Sequence, residues 1–307
     1  WRWRIFLCLT AAADRPGTIM SNAESSELLV ENIRHYQSCL VAFSAGVDSS
    51  VVAKAAQLAV GPQAIAVTAV SPSLAEGELQ AAVEIAGAIG IRHKIIETQE
   101  IEDPNYTANS PNRCYFCKTE LYSHLANTAA RFDVQVILNG ANADDAADYR
   151  PGMQASAEFC VKSPLADCGF TKSAVRALAK TWNLPVWDKP ATPCLSSRIA
   201  YGEEVTPKRL RMIDRAEQFL RSTGLSTVRI RYHKGDMARI EVPAEALTKL
   251  VDASLREQLV TELRTIGFKY VALDLEGFRS GSLNDVLPAE LLAIDNAQPL
   301  RSRDEER

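Results

Sequence analysis

The chain has 307 residues, 47% of them hydrophobic and 23% charged, with a formal net charge of −4 and a pI of about 5.7. Those values fit a soluble globular protein of one large or two modest domains, and they exclude a global field for nucleic acid. No apolar run has the length of a membrane span. Seven cysteines in a chain of this size do not make a secreted disulfide scaffold, so a cytoplasmic, reducing setting is expected.

Residues 1–19 begin without Met, and Met20 opens a more ordinary start. Arg2 and Arg4 ahead of Ile5-Phe6-Leu7-Cys8-Leu9 form a short signal-like pattern. The segment is read as an extended start or a disordered tail and is set aside. Leu28, Leu29, Ile33 and Tyr36 recur at helical spacing and predict an amphipathic helix over 24–36. Leu40-Val41-Ala42-Phe43 is an apolar run that predicts a buried strand. It ends in Ser44-Ala45-Gly46-Val47-Asp48-Ser49-Ser50, where Gly46 permits angles forbidden to other residues. Asp48, Ser49 and Ser50 suit a helix start, and 51–60 is an alanine-rich helix former. Free N–H groups at such a start favour an anion, and the hydroxyls of Ser44, Ser49 and Ser50 add donors. The turn therefore predicts a phosphate site, better suited to pyrophosphate than to a single sulfate. The plain alternative is a strand-turn-helix with a serine cap. A Walker-type loop matches poorly, because no Gly-Lys-Ser/Thr follows.

Further strands are predicted over 64–70, 93–96 and 133–139, with a helix over 74–89. Strands alternating with helices predict an α/β fold, a parallel sheet with helices on both faces. Ligands bind beyond the carboxyl ends of such strands. Four segments are expected to converge there: Ser44-Ala45-Gly46, Ser71-Pro72-Ser73, the loop after Ile96, and Gly140-Ala141-Asn142-Ala143-Asp144-Asp145. The second half predicts a helix over 206–221, paired strands over 226–232 and 238–242, a helix over 255–266 and a strand over 270–275. That order suits a small α+β domain of antiparallel strands packed on helices. The first domain is placed at 20–203 and a substrate or oligomerisation domain at 204–290, with a disordered tail at 291–307. A homo-oligomer is expected.

Four further regions carry candidate chemistry. Asn112-Arg113-Cys114-Tyr115-Phe116-Cys117-Lys118 opens a helix, where a cysteine has a lowered pKa. Cys114 and Cys117 could share a metal or cluster, although one such pair is incomplete for structural zinc. Two half-buried helix cysteines are the plain alternative. Pro193-Cys194-Leu195-Ser196-Ser197-Arg198 is extended and stiff, so Cys194 is expected on display. Arg198 can contact a phosphate or lower the thiol pKa. Asn142, Asp144 and Asp145 at a strand end suit Mg²⁺ or ribose hydroxyls, or equally a helix cap. Arg229 and Arg231 share one strand face and could hold a substrate phosphate, with a solvated face as the alternative. Cys8, Cys39, Cys160 and Cys168 are assigned no chemistry.

These motifs occur in order with Tyr149-Arg150-Pro151-Gly152, Arg229-Ile230-Arg231-Tyr232-His233, Ala238-Arg239-Ile240-Glu241-Val242 and Leu273-Asp274-Leu275-Glu276-Gly277-Phe278-Arg279-Ser280-Gly281-Ser282. The pattern, from about Leu28 to Asn284, resembles the LarE family, the ATP-dependent sacrificial sulfur transferases of the PP-loop ATP pyrophosphatase superfamily. The phosphate turn resembles the superfamily's S-G-G-x-D-S. Ala45 stands at the first glycine, tolerable there if its φ is negative.

The resemblance implies an adenine nucleotide alpha hydrolase-like domain using ATP and Mg²⁺, with no nucleic acid or membrane partner. It implies that sulfur is inserted into a pyridinium-dicarboxylate mononucleotide, which becomes the nickel-pincer cofactor of lactate racemase. ATP adenylates a carboxylate and releases pyrophosphate; a thiolate then displaces AMP. Cys194 occupies the position of the family's sulfur donor, which is left as dehydroalanine. Members with three cysteines resemble a second type, in which Cys114, Cys117 and Cys194 would hold a 4Fe-4S cluster that carries an extra sulfide. Spacing does not decide between the routes; the cluster is favoured because the Cys-x-x-Cys pair otherwise has no work. The competing readings are an amidating NAD or GMP synthetase relative, a tRNA thiolation enzyme, and a nucleotide-binding regulatory module. The acidic pI and the absence of a basic RNA-binding segment weigh against the tRNA enzyme.

Overall fold

The computed structural model describes residues 22–147, 151–279 and 281–286. The first half alternates helix and strand as α1 (Asn22–Arg34), β1 (Cys39–Ala42), α2 (Val47–Val60), β2 (Ala64–Val70), α3 (Glu78–Ile89), β3 (Arg92–Glu97), α4 (Pro104–Thr107), α5 (Arg113–Arg131) and β4 (Val136–Leu138). Helices α6 (Gly152–Glu158), α7 (Pro164–Asp167) and α8 (Lys172–Thr181) follow. The four strands make one parallel sheet in the order β3-β2-β1-β4.

The central strand β1 is apolar because both of its faces are covered. Cys39 and Val41 join a core with Leu29 and Ile33 of α1 and Val51, Val52 and Ala55 of α2. Leu40 points the other way, into a core with Tyr122 and Leu125 of α5. The period of two along the strand thus serves two helical layers. Small side chains let α2 lie close to the sheet, and Ala53, Ala55 and Ala56 are fully buried. The chain leaves β1 where its neighbours lead away in opposite directions, so the turn after β1 opens at a topological switch point.

Several predicted boundaries move, two of them in the first half for a visible reason. The helix expected over 74–89 starts at Glu78, because residues 71–74 form a turn closed by Leu74 N–H on Ser71 O, and Gly77 takes a left-handed φ of 83°. The strand expected over 133–139 shortens to β4: Asp133 has φ 51° and Val134 N–H reaches back to Ala129 O, closing α5. Helix α8, capped by the Thr171 hydroxyl on Ala174 N–H, has no counterpart in the sequence reading.

The second unit comprises α9 (Pro207–Ser222), β5 (Arg229–His233), β6 (Met237–Glu241), α10 (Leu247–Val251), α11 (Ala253–Ile266) and β7 (Tyr270–Leu273). Thr206 caps α9 and Pro207 starts it. β5 and β6 pair antiparallel, but β7 adds to β6 in parallel. The expectation of a purely antiparallel sheet is therefore corrected. Helices α10 and α11 between β6 and β7 supply the long crossover that a parallel pair requires. Leu210, Ile213 and Leu220 of α9 pack on Ile230, Ile240 and Leu263, and the same core takes in Tyr106, Leu195 and Ile199 from the first half. Ile199 bridges Tyr232 of β5, and Ala200 N–H donates to Tyr232 O at 2.9 Å. The segment carrying Cys194 is therefore anchored to the second unit. Among the described residues, no helix is long and apolar enough to cross a membrane.

Candidate active site

The turn from β1 into α2 is tied to itself. The Ser49 hydroxyl donates to Gly46 O (3.2 Å), accepts from Ser44 N–H (3.3 Å) and meets the Ser44 hydroxyl at 3.2 Å. Gly140, just beyond β4, lies against the helix start so closely that a Cβ there would sit 2.8 Å from Ser49 N. Only glycine keeps that backbone N–H unobstructed. Ala45 has φ 55°, not the negative value expected of it, and its methyl is fully buried. The turn requires a left-handed residue here, at a cost of roughly 1–2 kcal/mol for an L side chain. Ser50 is also corrected as a donor to the site: it is fully buried inside α2 and its hydroxyl has no partner. Ser44 is exposed, with Gly46 and Asp48 partly so.

Asp48 is held by Asn142 Nδ2 (3.1 Å) and by an ion pair with Lys172, the first residue of α8. Lys172 was not a sequence candidate, and nothing but its place after the cap Thr171 marks it. Asp144 accepts from Lys172 N–H (2.7 Å) and Asp145 from Asn142 N–H (3.1 Å). Both carboxylates thus cap backbone, as the alternative reading allowed. Asp148, Tyr149 and Arg150 lie outside the described residues. The four expected strand-end segments meet in two pairs. Residues 44–49 meet 140–145, while Ser71 and Ser73 both bond the buried Glu100, in the segment after β3.

The second pair leads to Cys194, since Ser73 O accepts from Leu195 N–H at 2.8 Å. Among the described residues, four arginines grip carbonyls of the Cys194 segment. Arg229 bonds Ala191 O (2.7 Å), Arg198 bonds Pro193 O and Cys194 O (2.9 Å for the latter), Arg113 bonds Ser196 O (2.8 Å) and Arg231 bonds Ser197 O (3.1 Å). Tyr106 OH meets the Ser196 hydroxyl at 2.6 Å. The backbone is fixed while the Cys194 side chain stays exposed.

Two of these arginines are neutralised by carboxylates of 0% exposure. Glu217 pairs with Arg198 (3.1 Å) and Arg221 (2.6 Å), and Glu241 with Arg231 (2.8 Å) and Arg239 (3.1 Å). Arg198 itself has no exposed surface. The geometry gives it the work of holding the loop, which corrects the expectation that it reaches a phosphate. Arg231 is likewise committed to Glu241 and Ser282. Arg229 differs. Among the described residues its hydrogen bonds go to the carbonyls of Val228 and Ala191, and it lies over the Phe278 ring at 5.4 Å. Burial, then the nearby Arg198 charge, pushes its pKa down to about 10, with Arg231 and Arg221 adding to the effect against Glu217. Glu217 escaped the sequence reading, although it falls on the apolar stripe of α9 with Leu210, Ile213 and Leu220, and that is its signal.

The thiols converge without forming a tight set. Cys114 and Cys194 are exposed, and Cys117 is half-buried. Burial, followed by the influence of Cys194, pushes the Cys117 thiol up to about 12. The lowered pKa expected of a helix-start cysteine is therefore corrected at Cys117: desolvation outweighs the helix end. Burial also pulls the Arg113 guanidinium down, but Cys194, Cys114 and Tyr106 push it up to a net rise. The donor types suit an iron–sulfur cluster. Among the described residues, however, no three His, Cys, Asp or Glu side chains stand close enough together to hold a metal ion.

A parallel sheet that opens, at its switch point, into a glycine-backed serine turn and a buried helix defines a PP-loop type of nucleotide domain. A family profile described as NAD synthase matches residues 24–144. The chain is 48% identical over 266 residues to an uncharacterised protein of Synechocystis sp., covering 85% of this chain and 98% of that one. It is 36% identical over 272 residues to pyridinium-3,5-bisthiocarboxylic acid mononucleotide synthase of Lactiplantibacillus plantarum, covering 88% of this chain and 98% of the relative. With that similarity over almost the whole length of both proteins, the chain belongs to the LarE family.

Proposed function

We propose that the protein is an ATP-dependent sulfur transferase acting on a pyridinium-3,5-dicarboxylate mononucleotide, with Cys194 at the point of sulfur transfer. The observation that carries this reading is the backbone grip on residues 191–197, which fixes an exposed thiol among four arginines. Ordering exposed backbone costs conformational entropy, and a loop displaying only a passive cysteine gains nothing from it.

The phosphates of ATP rest on the N–H groups at the start of α2, beside Gly140 and Ser44. Mg²⁺ would be held by Asp48 and the phosphate oxygens, and supplies charge neutralisation when bound. A substrate carboxylate oxygen attacks the α-phosphorus, and pyrophosphate leaves with the electron pair of the broken P–O bond. The Cys194 thiolate then attacks the activated acyl carbon and AMP leaves, giving a thioester. Loss of the Cys194 Cα proton with cleavage of its Cβ–S bond delivers the thiocarboxylate and leaves dehydroalanine. A 4Fe-4S cluster would be held by Cys114, Cys117 and Cys194 and, when bound, supplies a carrier for an added sulfide that spares Cys194. Arg229, with no carboxylate among its hydrogen-bond partners in the described residues, is the β5 arginine suited to the mononucleotide phosphate.

The match to NAD synthase over residues 24–144 favours a second reading, amidation of an adenylated carboxylate by ammonia. Cys194 lies outside that match and would have no part in it. The two readings are separated by supplying ATP, Mg²⁺ and the mononucleotide with either ammonium or no added nitrogen source. Pyrophosphate release with a product that has exchanged oxygen for sulfur supports transfer; an amide product overturns it.

A further inference from the structure

Arg113 opens α5 one residue ahead of Cys114, and its side chain is 5% exposed. Its guanidinium spans three segments. Nη1 donates to Asn109 Oδ1 and to Ser196 O (2.8 Å), and Nη2 lies 3.9 Å from Cys114 Sγ. Asn109 is fully buried with φ 53°, a conformation that asparagine tolerates better than most residues. Its amide donates to Ile199 O (3.2 Å), Ala200 O (2.8 Å) and Glu203 O (3.0 Å), locking the α4–α5 turn to the chain that follows Cys194. Arg113 thus ties the start of the Cys-x-x-Cys helix to the Cys194 segment by hydrogen bonds, beside the packing of Phe116 and Cys117 on the core that holds Leu195.

Its charge balance sets it, like Arg229, apart from the other two arginines on this segment. Arg198 and Arg231 each face a buried glutamate, whereas no carboxylate is among the partners of Arg113 in the described residues. A buried cation without an anion is costly, by several kcal/mol in typical proteins. Its place is instead fixed by neutral partners, Asn109 Oδ1 and Ser196 O, with Cys114 Sγ 3.9 Å away.

We propose that Arg113 is a positioning residue for sulfur transfer: its guanidinium fork, held on Asn109 and Ser196 O beside Cys114, sets the placement of the Cys194 segment against Cys114. This rests on the reading that sulfur passes through the Cys194 site. The mode of action is geometric, and displacement by about 1 Å can cost up to about a hundredfold in rate.

The test uses Arg113→Lys, which keeps the charge and loses the fork, and Arg113→Met, which loses both. In folded protein of matched melting temperature, the ratio of thiocarboxylate formed to pyrophosphate released should fall in the order wild type, Lys, Met. Mass-mapped iodoacetamide labelling of the protein alone should change several-fold at Cys194 in both variants, because its segment loses the tie through Ser196 O, and should not change at the exposed Cys160. An unchanged ratio in the Lys variant overturns the fork, and this variant decides if the Met variant fails to fold. Unchanged labelling at Cys194 in both folded variants overturns the placement of the segment by Arg113. If wild-type protein transfers no sulfur, the functional reading fails, and the labelling still decides Arg113.

Discussion

The phosphate turn and the Cys194 loop hold their shapes by opposite means. The turn is local: Ser44, Gly46 and Ser49 bond one another within six residues, and the rest is the start of one helix. The Cys194 loop has a single 3₁₀ turn of its own, over Leu195–Arg198, and is otherwise held from outside. It is held by Arg113 from α5, Arg229 and Arg231 from β5, Tyr106 from α4 and Ser73 after β2, with Arg198 folded back on itself against Glu217 of α9. A local site carries its function in a short motif, whereas a loop held from outside depends on how both sheets pack.

The difference predicts how each region fails. Arg198→Ala should be the most damaging change. It frees the carbonyls of Pro193 and Cys194 and removes one of the two arginines on a carboxylate without exposed surface. Breaking a buried pair costs about 3–5 kcal/mol, measurable by urea denaturation, and sulfur transfer should be lost with it. Stability within about 0.5 kcal/mol of wild type, the scale of an ordinary surface substitution, would mean that Glu217 is satisfied without it. Asp48→Ala should leave stability nearly unchanged and slow pyrophosphate release by about ten- to a hundredfold, or roughly 1.4–2.7 kcal/mol of barrier. If release is unchanged, Asp48 and Lys172 form only a structural pair.

The arginines of β5 sharpen the contrast. They share a face by alternation, and the sequence reading gave them one role, but Arg231 lies against Glu241 and Arg229 does not. Arg229→Ala should raise the KM for the mononucleotide about tenfold, near 1.4 kcal/mol, with little effect on the KM for ATP. Equal rises in both would move Arg229 out of the substrate site. Arg231→Ala should act mainly on stability, because it strands part of a buried carboxylate.

How much was legible follows the same line. The alternating sheet, the turn at 44–50 and the helix after it were all readable, because periodicity and turn chemistry are properties of adjacent residues. The display of Cys194 was readable from the prolines around it. The role of Arg198 was not, because its partner Glu217 lies on another element, and the place of Glu217 on the apolar stripe of α9 marks it as buried without naming its partner. The pairing of β7 parallel to β6 was missed for a similar reason: direction depends on the crossover, not on the strand. Ala45 is a local error. Its methyl suggested a negative φ, but the turn geometry shared with a glycine position prevailed at φ 55°. Ala45→Gly is accordingly the mildest prediction. Relief of roughly 1–2 kcal/mol of strain is offset by the lost methyl and a freer unfolded chain, so stability should change by less than about 1 kcal/mol. A loss well beyond that, by calorimetry, would show that the methyl packs better than the turn is strained.

The central claim is that activation at the turn and sulfur transfer at the loop are separate events. The most direct measurement is the amount of pyrophosphate and of thiocarboxylate product formed by Cys194→Ala beside the wild type, from ATP and the pyridinium-dicarboxylate mononucleotide. The account predicts pyrophosphate from both proteins and thiocarboxylate from the wild type alone. Thiocarboxylate from the folded Cys194→Ala variant, or a variant that releases no pyrophosphate, would contradict it.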